Sequence, residues 1–157
     1  MDVFPILLFL HALGAIVAFG PGFAAMVVGP MVAKEPQHAN FYARTQLATG
    51  RKIVMPVSAS MAVTGLAMVV VRGWSTITGG RQWLALGILL YVVAVAYSMA
   101  VQARAGRRLV ELTAQPPAPG MPPLPELRAT VARVRQGGMV LAALVVVIAY
   151  LMVAKPF

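Results

Sequence analysis

Four stretches of the chain carry no Asp, Glu, Lys or Arg: Val3 to Ala33, Ile53 to Val71, Trp83 to Val101 and Gly138 to Ala154. Each reaches or approaches the ~20 residues that a helix rising ~1.5 Å per residue needs to cross ~30 Å of hydrocarbon. The runs are continuously apolar, whereas barrel strands lining a polar lumen would alternate, so helices are favoured. The pattern predicts an all-α transmembrane four-helix bundle of up-down topology. It forms a single integral membrane domain over residues 1–157, with spans at 3–33, 53–71, 83–102 and 138–154.

The first run is too long for a simple rod, since ~30 residues would reach ~45 Å against ~30 Å of hydrocarbon. It must tilt, bend or protrude. Gly20, Pro21 and Gly22 mark the expected bend, because proline lacks a backbone donor and crowds the preceding turn. Pro30 and Pro36 are expected to help end this helix, and Pro56 suits either a local bend or a helix start. Leu124, Leu127, Val131 and Val134 recur at helical spacing opposite Glu126, Arg128, Arg133 and Arg135. Residues 124–137 therefore read as an amphipathic lead-in to the fourth span, with Pro125 in its first turn. The third span is expected to continue to about Thr113, until the Pro-rich linker 115–123 stops it.

Charge orients the bundle. The first connection holds Lys34, Arg44, Arg51 and Lys52, and the third holds Arg104, Arg107, Arg108, Arg128, Arg133 and Arg135. The middle connection has only Arg72 and Arg81, and the C-terminal tail only Lys155. By the positive-inside rule the two rich connections are cytoplasmic, which gives an N-out, C-out multi-pass protein of a bacterial inner membrane with its helices extended on the cytoplasmic side. A cleaved signal peptide would need a basic segment before Val3, and none is present. Trp74 and Trp83, with Arg72 and Arg81, read as interface anchors around a Gly79-Gly80 turn. Arg104, Arg107 and Arg108 are expected to touch anionic lipid headgroups.

Composition agrees: 60% hydrophobic and 11% charged residues, with a mean hydropathy of +0.82, lie outside the soluble range. A net charge of +9 suggests nucleic acid only until the basic residues are placed. They flank apolar runs and form no single patch interleaved with aromatics, so no nucleic-acid partner is expected. The partners expected are the lipid bilayer and either a second copy or another membrane protein.

The absence of cysteine excludes disulfides, thiolate metal sites, iron-sulfur clusters and cysteine nucleophiles. The four carboxylates, Asp2, Glu35, Glu111 and Glu126, all fall outside the apolar runs. That disfavours proton-coupled transport, paired-carboxylate hydrolysis and di-metal sites. A small channel or transporter also lacks an evident polar pathway. His11 is the one ionisable side chain inside a span. Gly14, Ala15, Ala18, Gly22, Ala25 and Gly29 follow it along one helical face. On one reading they let a neighbouring helix approach closely while His11 hydrogen-bonds to Ser, Thr, Tyr or a backbone carbonyl. On the other, the same clearance admits haem b with a His11 nitrogen on the iron, and either Met61, Met68 or Met152 as a second ligand or none. Tyr91 and Tyr150 are candidates to face His11. The ten methionines are scattered, which suits flexible packing better than a copper path.

The segment Leu7-Leu8-Phe9-Leu10-His11-Ala12-Leu13-Gly14-Ala15-Ile16-Val17-Ala18-Phe19-Gly20, on a four-span chain with basic inner loops, resembles an uncharacterised bacterial family of predicted integral membrane proteins. That family is distantly similar to the copper-resistance-D-like proteins and to HemJ-type membrane protoporphyrinogen oxidases. The likeness implies haem or tetrapyrrole contact at His11. HemJ-type proteins favour an aromatic-Gly-Gly stretch after the histidine, where this chain has Phe19-Gly20-Pro21-Gly22. Without a motif that names a reaction, the chain reads as a non-enzymatic membrane protein acting through helix packing. It would work as a homo-oligomer or an accessory subunit, with a His11 haem protein or tetrapyrrole oxidoreductase as the alternative.

Overall fold

The computed structural model describes residues 2–73, 82–114 and 124–156. Trp74, the Gly79-Gly80 turn, Arg81 and the linker 115–123 lie outside the described residues. Four helices long and apolar enough to cross a membrane run Phe4–Lys34, Pro36–Arg72, Gln82–Thr113 and Pro125–Ala154. Within them the regular segments are α1 (Phe4–Val32), α2 (Ala39–Thr49), α3 (Met55–Arg72), α4 (Gln82–Tyr97), α5 (Ala103–Thr113) and α6 (Pro125–Ala154). No strand occurs among the described residues.

Aromatic and cationic side chains show that successive helices run antiparallel. The Arg72 guanidinium at the end of α3 lies 4.0 Å from the ring centre of Phe4 at the start of α1. Lys155, just past α6, sits 5.9 Å from the ring of Trp83 at the start of α4. At the opposite end, Asn40 of α2 donates to the carbonyl of Val110 on α5. That end carries the ten clustered Lys and Arg residues.

Helix Pro36–Arg72 changes neighbours along its length. Its second segment, α3, packs chiefly on α1, while its basic-end segment α2 packs on α5. The fourth helix packs on α5 near its start and on α4 further along. The helix changes partner at a π turn, Gly50–Val54, which joins α2 to α3. There the Met55 N–H reaches back five residues to the Gly50 carbonyl. Pro56 follows at once, and having no N–H it could not have continued an i→i−4 ladder to Lys52. A second π turn, Ser98–Gln102, joins α4 to α5, with Ala103 N–H on the Ser98 carbonyl. The contacts Leu47 to Gly106 and Ser58 to Tyr91 bracket both turns, so the two lie at one level of the bundle.

α1 passes unbroken through Pro21 and Pro30 and ends at Val32. Pro30 therefore does not stop it. Spanning helices tolerate proline when neighbours and local adjustment re-satisfy the freed carbonyls. Pro36 instead opens a short 3₁₀ turn, Pro36–His38, that turns the chain into α2. α3 ends at Gly73, whose φ of 87° is a conformation that side-chain-bearing residues rarely adopt. The buried apolar set is small: Ala18, Ala43, Met61, Val69, Ala105 and Leu151. Large side chains such as Ile16, Val63 and Val153 point outward, as befits helices whose surroundings are lipid.

Candidate functional site

His11 meets α3, not a tyrosine. Its Nδ1 lies 3.0 Å from the Met61 carbonyl oxygen and 3.1 Å from Thr64 Oγ1. A carbonyl oxygen only accepts, so Nδ1 carries the proton and donates it. In the neutral ring Nε2 is then the nitrogen with the lone pair. Thr64 in turn lies 3.0 Å from the Ser60 carbonyl, the acceptor for its own hydroxyl hydrogen. Gly65 makes room for the ring: a Cβ there would stand 3.3 Å from His11 Cε1. Tyr91 donates to the Ser58 carbonyl at 2.5 Å, and Tyr150 is exposed. His38, in the 3₁₀ turn, faces Glu35 at 3.6 Å.

The small-residue face is divided among several uses. Gly14 and Ala18 are buried, and a Cβ on Gly14 would come within 2.7 Å of Met61 Cγ. Met61 is therefore committed to the α1–α3 contact, where removing a side chain lets two backbones approach. Ala15 is half-buried. Ala25 offers its carbonyl to the Tyr42 hydroxyl at 3.4 Å, and Gly29 leaves space beside that hydroxyl. Gly22 is exposed, with nothing within 4 Å of where its Cβ would stand, and so is Gly20. Met152 packs its methyl against Gly87 of α4. Met68 lies one turn beyond Thr64, toward Arg72, and is half-buried.

A third constellation joins α4 and α6 and had no signal in the sequence beyond a pair of glycines. Gln102, in the second π turn, donates Nε2 to the Val134 carbonyl at 2.8 Å. Its Oε1 is buried without a partner and presses against the Cα side of Gly137, where the Tyr97 hydroxyl also converges. Only glycine at 137 leaves room for both.

At the basic end, a groove of about 410 Å³ opens between the second π turn, α5 and α6. Ala100, Val101, Arg104, Ala105, Arg108, Thr130 and Arg133 line it. Arg104 and Arg108 were expected at a headgroup surface; Arg107 is exposed but does not line the groove, and Arg133 joins from the other helix. Arg108 is engaged by Glu126 through Nη2 at 2.6 Å and by Glu111 through Nη1 at 2.8 Å. Those carboxylates, Glu111 foremost, push its guanidinium further toward the protonated form. Being exposed, the pairs set geometry more than stability.

No group of three or more His, Asp or Glu residues that could hold a metal occurs among the described residues. The family described as "Predicted integral membrane protein (DUF2269)" matches residues 5–156. No curated protein and no solved structure matches the chain.

Proposed function

The chain belongs to the DUF2269 family of predicted integral membrane proteins, and from that premise we propose that it works without catalysis, by assembling with copies of itself or as an accessory subunit of a larger membrane complex. The observation that carries this reading is the state of His11. His11, the one Asp, Glu, His, Lys or Arg side chain in the apolar runs, ties α1 to α3 through Met61 and Thr64, as a helix-to-helix fastening would. What α1 leaves for a partner is its other side. Ile16, Gly20, Phe23 and Val27 form an outward stripe whose centre, at Gly20, is open. A stripe of large residues with a glycine notch suits close approach of a second helix.

The chain's lack of cysteine makes the test direct. Gly20→Cys should crosslink in native membranes, to itself or to one steady partner, whereas Val153→Cys, on a fully outward position of α6, should not. Uniformly monomeric Gly20→Cys protein without a partner would overturn the reading.

A second reading is favoured by the same histidine's free nitrogen. Histidines that ligate metals commonly give their other N–H to a carbonyl, as His11 gives its own to Met61. His11 Nε2 would be the atom to hold haem b, with Met68 freer by register to assist than Met61 or Met152, whose side chains are engaged on Gly14 and Gly87. Bound there, the iron would supply one-electron chemistry. A visible spectrum after haem supplementation decides it: a Soret band abolished by His11→Ala supports the reading, and no band, or one indifferent to that change, removes it.

A further inference from the structure

We propose that the groove between α5 and α6 is a binding site for the phosphate of an anionic phospholipid. This inference rests on the membrane-spanning reading of the helices and not on what covers α1. Three observations converge on it.

The first is charge that the chain itself does not neutralise. Of the four carboxylates, Asp2 lies at the other end, capping the Phe4 N–H at 3.1 Å, and Glu35 faces His38. Glu111 and Glu126 are both taken by Arg108. Residues 115–123 contain no Asp or Glu. Arg104 and Arg133 therefore line one groove from two helices with no carboxylate of this chain left to pair with them. Guanidinium groups meet phosphate oxygens with paired, charge-assisted hydrogen bonds.

The second is Thr130. It is only 6% exposed, lines the groove, and has no hydrogen-bond partner among the described residues. Thr113, the other buried threonine, bonds instead to the Leu109 carbonyl of its own helix. The residue is buried at position 130 too, but its hydroxyl is not sealed from the groove, so it can donate to an anion's oxygen.

The third is position. Ala100 and Val101 belong to the last turn of the third apolar run, so the groove begins where hydrocarbon-facing residues end and arginines start. A soluble phosphate has no use for that apolar wall; a lipid lays its acyl chain on it while its headgroup reaches the arginines.

The full-length protein, reconstituted in nanodiscs of phosphatidylcholine with a minor fraction of phosphatidylglycerol and re-extracted in mild detergent, should retain phosphatidylglycerol, counted by native mass spectrometry. Arg104→Gln with Arg133→Gln should lower that retention roughly tenfold or more. Arg107→Gln with Arg128→Gln removes the same charge from the same two helices outside the groove and should change it little. Thr130→Val should weaken retention by a smaller factor. Equal losses from the two double variants would overturn the site, because the effect would then be general surface charge. Displacement of the lipid by millimolar inorganic phosphate would overturn the assignment to lipid in favour of a soluble anion.

Discussion

Individual side chains at the α1–α3 contact matter through hydrogen bonds and missing atoms. His11→Ala and Thr64→Val each remove one side of the bond at 3.1 Å. Interhelical hydrogen bonds in membranes average about 0.6 kcal/mol and reach about 1.7 kcal/mol, so each variant should lower stability by about that range. The double variant should then cost less than the sum of the two. Denaturant unfolding in mixed micelles, read as a double-mutant cycle, measures the coupling. Gly14→Leu forces side-chain atoms into the place of Met61 and should cost about 1–3 kcal/mol. The same change at Gly22, which meets open space, should leave stability nearly unaltered. That contrast sets a clear limit on sequence reading. The stripe from Gly14 to Gly29 was legible as small residues sharing one side of a helix, because positions three and four apart face the same way. Which of its members touch a helix was not, since Gly14 and Gly22 differ only in what the rest of the chain brings near them.

At the level of elements, the spans followed from the apolar runs alone. The expected helix over 124–137 and the extension to Thr113 carry over into α6 and α5, but the apolar spacing does not mark the buried face, since Leu124 and Val131 are exposed while Thr130 and Gly137 are buried. The π turns at Gly50–Val54 and Ser98–Gln102 were not legible, because the one-residue shift of phase that such a turn makes shows only against a clear hydrophobic periodicity, and the uniformly apolar runs beside them have little. Pro56 was the single available sign. The seam around Gly137 likewise exists only once α4 and α6 meet. Gly137→Ala should drive a methyl into Gln102 and Tyr97, lowering stability by about 1–3 kcal/mol. Adding Gln102→Ala should recover part of that loss, since it removes the nearer clash and the unpartnered oxygen together. Thermal unfolding of the three variants in one detergent is the comparison to make.

For the molecule as a whole, the asymmetry of basic residues predicts the direction in which it sits. Ten Lys and Arg lie at the end shared by α2, α5 and the start of α6, against Arg72 and Lys155 at the other among the described residues. Cysteines introduced singly at Lys34 and Leu124 should be shielded from an impermeant maleimide in right-side-out vesicles, and one at Asp2 should react. The opposite labelling would reverse the assignment of both ends.

The winding of helix Pro36–Arg72 sets one more relation between the two ends. A π turn holds one residue more than the helix around it, so it rotates everything beyond by about 100°. Arg44 and Asn40 therefore owe their bearing to the length of Gly50–Val54 and not to the lipid-facing residues of α3. Removing one residue there would swing the cationic surface of α2 around the axis like a dial and take Asn40 away from Val110, while the membrane-embedded half kept its own setting.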